Sequence, residues 1–287
     1  MGPVRLRVAD MDRALSFYRD VLGLQPQPQA SNAETVTLHG LDSRALATLS
    51  TGPGVRARSP RSTGLYHFAI LVPDRASLGA TLRRLLDTRY PLQGASDHGV
   101  SEALYLADPD GNGIEIYRDR PRAEWPFEDG ELSMVTESLD AEGVLAESRG
   151  AWEGLPRGTR MGHIHLQVRD LAEAEDFYTR TLGLDLMQRY PPATQARGRA
   201  SAAFLSAGGY HHHVGINTWT SAGAPPPPPD AVGLQHFTLL LPDTDALVAA
   251  RARLEATGIP VEPQDAGFLV RDPSGNALRL TQVQEVA

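Results

Sequence analysis

Gly64-Leu-Tyr-His-Phe-Ala-Ile-Leu-Val-Pro-Asp74 recurs, lightly altered, as Gly233-Leu-Gln-His-Phe-Thr-Leu-Leu-Leu-Pro-Asp243. After each copy comes an amphipathic stretch that reads as a helix, over 75–87 and 244–257. Each then reaches a tight turn, Asp108-Pro-Asp-Gly-Asn112 and Asp272-Pro-Ser-Gly-Asn276. Proline presets one backbone angle in such a turn, and Gly and Asn accept positive φ, so the motif is a hairpin with a local cause. Strands are expected on both sides of each hairpin, over 103–107 and 113–117, then 267–270 and 277–281.

Working outward, a second frame also occurs twice. Arg5-Leu-Arg-Val-Ala-Asp10 leads into Asp12-Arg-Ala-Leu-Ser-Phe-Tyr-Arg-Asp-Val-Leu-Gly-Leu24. His165-Leu-Gln-Val-Arg-Asp170 leads into Ala172-Glu-Ala-Glu-Asp-Phe-Tyr-Thr-Arg-Thr-Leu-Gly-Leu184. A short alternating strand ends in Val-x-Asp, and a helix carrying Phe-Tyr follows. Gly23 and Gly183 stand where a helix C-terminus favours a left-handed residue. Phe17, Leu22, Phe177 and Leu182 fall at helical spacing and read as core.

Internal repetition at this scale defines the architecture. The chain reads as four strand–helix–strands modules, beginning near Arg5, Tyr66, His163 and Gln235. Modules one and two make an N-terminal domain over 2–119, and modules three and four a C-terminal domain over 161–283. A linker over 120–160 carries an expected helix from Asp140 to Ser148. Pro225 to Pro229 reads as a stiff surface loop between modules three and four.

Composition narrows the function classes. About two-fifths of the 287 residues are apolar, enough for a sizeable core. The net charge of -8, with scattered arginines, argues against nucleic acid, which needs a basic footprint. No run approaches the length of a membrane span, and the N-terminus lacks the apolar stretch of a signal peptide, so a cytoplasmic protein is expected. There is no cysteine, which removes disulfides, thiolate metal sites and cysteine nucleophiles. A metal would have to be held by His, Asp, Glu, Tyr or water.

The Phe-Tyr…Leu-Gly-Leu helix and the Asp-Pro-x-Gly-Asn hairpin resemble the signatures of the vicinal oxygen chelate superfamily of glyoxalases, antibiotic-resistance proteins and extradiol dioxygenases. The likeness covers nearly all of the chain outside the linker and is nearest to two-domain catechol-2,3-dioxygenase-like proteins. It implies an α+β fold, with four βαβββ modules forming two cupped mixed-sheet domains. It is specific for the fold and weak for the reaction, since the fold hosts several chemistries.

The resemblance also implies a ligand set. The family's first-strand ligand sits five residues before the Val-like end of the strand. That position holds His67 in module two, His163 in module three, His236 in module four and Pro3 in module one. The family's carboxylate lies four residues after the hairpin glycine, at Glu115 in module two and Arg279 in module four. A guanidinium cannot coordinate a cation. A site within modules three and four is therefore excluded, and one within modules one and two lacks a ligand. Modules two and three together supply His67, Glu115 and His163, the two imidazoles and one carboxylate that a non-haem iron(II) oxygenase needs. Inner pairing is inferred, two with three and one with four, leaving the outer pair a metal-free cup. Manganese(II) accepts the same ligands.

Around this triad the family pattern points to Tyr105 as a substrate-binding phenol. His98 lies near the second pocket histidine, displaced by about two residues. In the run Tyr210-His-His-His-Val-Gly-Ile-Asn-Thr-Trp219 a strand is expected, with His211 and His213 on one face and His212 on the other. His212 is the candidate acid–base group, with His213 as its competitor. His165 shares a face with His163 and is expected to line the pocket. The implied activity is extradiol cleavage of a small aromatic diol by Fe(II) and O2. Two rivals stand beside it. One is a glyoxalase-like lyase or isomerase using Ni(II), Zn(II) or Mn(II) with a fourth ligand such as His213. The other is a metal-free binding or resistance protein. Exposed sheet edges could support a homo-oligomer.

Overall fold

Every module opens with a strand that runs into a helix, and the residue at the joint is an aspartate each time. Asp10, Asp74, Asp170 and Asp243 accept a hydrogen bond from the backbone N–H three residues on, at Arg13, Ser77, Glu173 and Ala246. The Val-x-Asp and Pro-Asp repeats are therefore helix N-caps, each satisfying a backbone donor that the first turn leaves unpaired. The helices span Met11–Asp20, Arg75–Asp87, Leu171–Asp176 and Thr244–Ala256. In module three the expected long helix passes into a π turn, Phe177–Thr181, where Leu182 N–H bonds Phe177 O five residues back. Gly23 and Gly183 close the two Phe-Tyr helices with φ of 72° and 86°. The computed structural model describes residues 1–29, 32–191 and 201–283.

The strands form two large mixed sheets. One has eight strands, in the order Glu262–Gln264, Gly267–Arg271, Ala277–Gln282, Gly233–Leu241, Gly2–Arg7, Ala45–Ser50, Asn32–His39, Gln25–Gln29. The other has nine: Glu137–Ser138, Gly94–Asp97, Ser101–Ala107, Gly113–Asp119, Gly64–Leu71, Arg160–Gln167, Val214–Asn217, Ala202–Ser206, Asp185–Tyr190. Modules four and one share the first sheet, and modules two and three the second. Both hairpin motifs lie between antiparallel strands, Ser101–Ala107 with Gly113–Asp119 and Gly267–Arg271 with Ala277–Gln282.

The linker contributes the edge strand Glu137–Ser138 and a helix, Ala141–Glu147. Among the described residues no helix is long and apolar enough to cross a membrane.

The signature motifs meet across the sheets. Tyr18, on the helix of module one, donates to Asp108 Oδ2 in the hairpin of module two at 2.9 Å. Tyr178, on the helix of module three, donates to Asp272 Oδ2 in the hairpin of module four at 3.1 Å. Both tyrosines are fully buried. The same aspartates accept from their own turns, including Asn112 and Asn276. One apolar core, holding Leu6, Leu49 and Phe237 of the first sheet with Phe68, Ile116 and Ile164 of the second, runs through both.

Candidate metal centre

The three central strands of the nine-stranded sheet carry the triad. Gly64–Leu71 lies between Gly113–Asp119, parallel to it, and Arg160–Gln167, antiparallel to it. Period-two alternation aims the side chains. Phe68 and Ile70 enter the main core, as do Ile114, Ile116, Ile164 and Leu166. His67, Glu115, His163 and His165 therefore face the concave side. Register shifts bracket the two histidines of the third strand, between Met161 and His163 and between His165 and Leu166. Such irregularities re-aim side chains beside sites.

His67, Glu115 and His163 converge. His163 Nε2 lies 3.1 Å from Glu115 Oε2, and His67 Nε2 lies 3.0 Å from the same oxygen. The His67 approach lacks hydrogen-bond geometry, so its buried Nε2 is left without a bonded partner among the described residues. One ligand atom from each residue falls within 4.8 Å of the others, a group that could hold a metal ion. All three residues are at least nine-tenths buried. Burial pushes the Glu115 carboxyl up, but His163 and His67 outweigh it and hold it well below the usual range. Burial lowers His163 to about 4, against the pull of Glu115. An ionised carboxylate beside a neutral imidazole is the protonation state that a divalent cation requires.

The triad opens into a cavity of about 480 Å³. Tyr105 pairs across the strands with Glu115 and faces this cavity. His98 Nδ1 lies 2.7 Å from the Val135 carbonyl, so Nδ1 carries the proton; Nε2 then accepts from Tyr105 O–H at 2.7 Å. Burial, with Glu115's charge, raises the Tyr105 phenol well above its ordinary value and keeps it protonated. His212 also lines the cavity, its ring 4.0 Å from that of His163. His165 Nε2 is buried in the cavity wall without a partner among the described residues, and burial holds this ring neutral.

The histidine run corrects one expectation. The strand begins only at Val214, and Gly208 and Gly209 turn the chain before it with φ of 67° and 64°. Strand alternation therefore does not separate His211 from His212. Their Nδ1 atoms lie 2.7 Å apart, and His211 Nε2 lies 3.0 Å from Asp119 Oδ1. With Nε2 of His211 donating to the carboxylate, its Nδ1 accepts from His212, which leaves His212 Nε2 as that ring's free acceptor. Burial, then the surrounding imidazoles, keeps His212 neutral. His213 takes no part in the converging group; its Nδ1 faces Ser206 Oγ at 2.9 Å.

The other cup carries the counterpart positions with opposite charge. Arg5 stands opposite His236 as His165 stands opposite His67, and Arg279 pairs with Thr238 as Glu115 pairs with Ala69. Burial, with Arg5 and Arg279, lowers His236 to about 4. Arg279 Nε is buried and has no partner among the described residues.

Two features of the site escaped sequence reasoning. Asp119 and His211 carried no motif beyond the histidine run itself. The strap 134–136 of the linker lines the cavity and is tied on both sides. Met134 N–H donates to Gln188 Oε1 at 2.7 Å, and Gln188 Nε2 donates to Met134 O at 3.2 Å. Val135 N–H donates to His98 O at 3.2 Å. Gln188 lies far from the strap in sequence, and nothing local announces the contact.

Comparison with known proteins agrees with this fold. The model of the Glyoxalase/Bleomycin resistance protein/Dioxygenase superfamily matches residues 1–116 and 160–280. A catechol-2,3-dioxygenase of Bacillus subtilis is 42% identical over 280 residues, covering 96% of this chain and 95% of that protein. Glyoxalase I from Zea mays superposes with a TM-score of 0.59 at 15% identity, over 98% of this chain and 92% of that one. The chain belongs to the glyoxalase/bleomycin resistance/dioxygenase superfamily.

Proposed function

We propose that this protein is an extradiol dioxygenase that cleaves a catechol-type diol with O2 at a non-haem Fe(II) held by His67, His163 and Glu115. The observation that carries the reading is the convergence of two imidazole nitrogens and one carboxylate oxygen at the wall of a cavity. The near full-length likeness to a catechol-2,3-dioxygenase supports the reaction class. The donor set fits the metal. It provides two imidazoles and a carboxylate, with one buried Nε2 otherwise without a hydrogen-bond partner among the described residues. When bound, the iron would supply a Lewis-acid centre for the diol oxygens and the redox partner for O2.

The chain's own groups do the rest. His212 Nε2 is a neutral acceptor at the cavity and takes a proton from the diol. Asp119, through His211, fixes the His212 tautomer that makes this possible. Tyr105 spends its proton on His98, so its phenol oxygen is left to accept from a substrate hydroxyl. His165 Nε2 is a second buried ring nitrogen on the same wall, without a hydrogen-bond partner among the described residues. The strap 134–136 forms one wall of the cavity.

The test is anaerobic loading with Fe(II), then catechol and air, following the yellow ring-opened product. His67→Ala, His163→Ala and Glu115→Ala are expected to abolish it, and His236→Ala to retain it. Equal loss in His236→Ala would refute the assignment of the site to modules two and three. Parallel loading with Mn(II) compares the two metals, and oxygen-independent isomerisation of a hemithioacetal, with no ring-opened product from catechol in air, would favour the glyoxalase-like alternative.

A further inference from the structure

The cup in the eight-stranded sheet repeats the register of the metal centre with the charges inverted. Val4 and Leu6 enter the core, so Arg5 and Arg7 stand on the opposite face of their strand. Leu278 and Leu280 enter the core on either side of Arg279, and Phe237 and Leu239 beside His236. Arg5 faces His236 across the strands, and Arg279 pairs with Thr238 two residues on. All three arginines are half-buried.

No acid answers these charges among the described residues. Arg5 Nε–H donates to Gln235 Oε1, a neutral acceptor, at 3.0 Å, and Ser50 Oγ–H donates to the same oxygen at 2.8 Å. Arg279 Nε is shut away from solvent without an acceptor among the described residues. Asp230 feels the charge of Arg7 but is bonded to Arg56. The charges acting on Arg5 and His236 are those of other arginines, Arg7 on the first, Arg5 and Arg279 on the second. Outside the described residues the one side-chain carboxylate is Glu285.

The chain as a whole carries a net charge of -8, so this cluster runs against its general character. Like charges gathered on a half-buried concave face repel one another and focus a positive potential. A guanidinium fork matches the paired oxygens of a carboxylate or a phosphate. His236, neutral between the arginines, adds one ring N–H.

We propose that the cup formed by Arg5, Arg279 and His236 is a binding site for a small oxyanion, a carboxylate or a phosphate, separate from the metal centre. Arg279 stands where Glu115 stands and Arg5 where His165 stands, so the cup that suits a cation on one sheet suits an anion on the other. Binding here needs neither metal nor diol and is independent of the dioxygenase reading.

The test is calorimetric titration of metal-free protein with inorganic phosphate and with succinate, at constant ionic strength in chloride. Wild type and Glu285→Gln are both titrated, so that Glu285 cannot stand in for the probe. One anion per chain is expected to bind saturably, and the tighter probe tells phosphate from carboxylate. Arg279→Gln and Arg5→Gln should each weaken binding by about tenfold to a hundredfold, the worth of a charge-assisted hydrogen bond. Arg279→Lys, which keeps the charge without the fork, should weaken it less than Arg279→Gln. His67→Ala should leave it unchanged. The unfolding temperature gives an independent readout: phosphate or succinate should raise that of wild type and not that of folded Arg5→Gln. Absence of saturable binding by both probes in wild type and Glu285→Gln overturns the proposal. So does binding that survives in both arginine-to-glutamine variants, or binding lost in His67→Ala, which would put the anion at the metal centre.

Discussion

Single residues decide which cup can hold a metal. Arg279 stands where Glu115 stands in the other sheet, and Pro3 stands where His163 does. Both facts were legible in the sequence, because residue identity at a repeated position needs no tertiary information. The partnership of His211 with His212 was not. It depends on the chain turning at Gly208 and Gly209, and alternation reasoning assumed a strand there. Arg279→Glu should leave metal content at one ion per chain after Fe(II) loading, because Pro3 still offers no ligand; two ions per chain would refute the ligand accounting. His211→Phe removes the acceptor that fixes the His212 tautomer. It should lower kcat by about ten- to a hundredfold, toward the low end of what a proton-transfer group contributes, with KM nearly unchanged. A change confined to KM would show that His211 acts by shaping the cavity.

At the scale of elements, the repeated motifs turn out to be two halves of one joint. The tyrosine of the Phe-Tyr helix and the aspartate of the hairpin belong to successive modules, and each pair ties one sheet to the other. Sequence reading found both motifs because helix caps, tight turns and strand alternation are local. It could not find the bond between them, which spans modules. Tyr18→Phe keeps the apolar ring and leaves Asp108 without one donor. It should cost about 1–3 kcal/mol in urea unfolding, as expected for an unsatisfied buried acceptor. A change under a few tenths of a kcal/mol would show the bond to be incidental.

The joint also has a pH signature. Burial raises the Asp108 and Asp272 carboxyls, against the pull of their hydrogen bonds. The native state therefore binds more protons than the unfolded chain between the unfolded value and the raised folded one. Stability from these groups falls as pH climbs through that window and is flat above it. Asp108→Asn imitates the protonated form, so its stability relative to wild type should improve as pH rises from about 4. A relative stability that worsens instead would mean that the carboxylate is the favoured buried form.

For the whole molecule, each sheet draws four strands from either side of the linker, and the second adds the linker's own Glu137–Ser138. His67 and Glu115 come from before it and His163 from after it. The site is therefore a joint between two sequence halves, closed by strand Gly64–Leu71 pairing with Arg160–Gln167 and by the strap reaching Gln188. A metal that binds this joint and has no comparable site in the unfolded chain stabilises the native state by mass action. Fe(II) or Mn(II) added anaerobically should raise the unfolding temperature of wild type and leave that of Glu115→Gln unmoved. Cutting the chain gives the sharper test. Fragments 1–119 and 120–287, purified apart, each lack at least one ligand of the triad and half of the nine-stranded sheet. Neither should retain one metal ion through gel filtration, whereas the two refolded together should recover both the metal and the shift in unfolding temperature. Retention by the N-terminal fragment alone would mean that His67 and Glu115 suffice and that His163 is not a ligand.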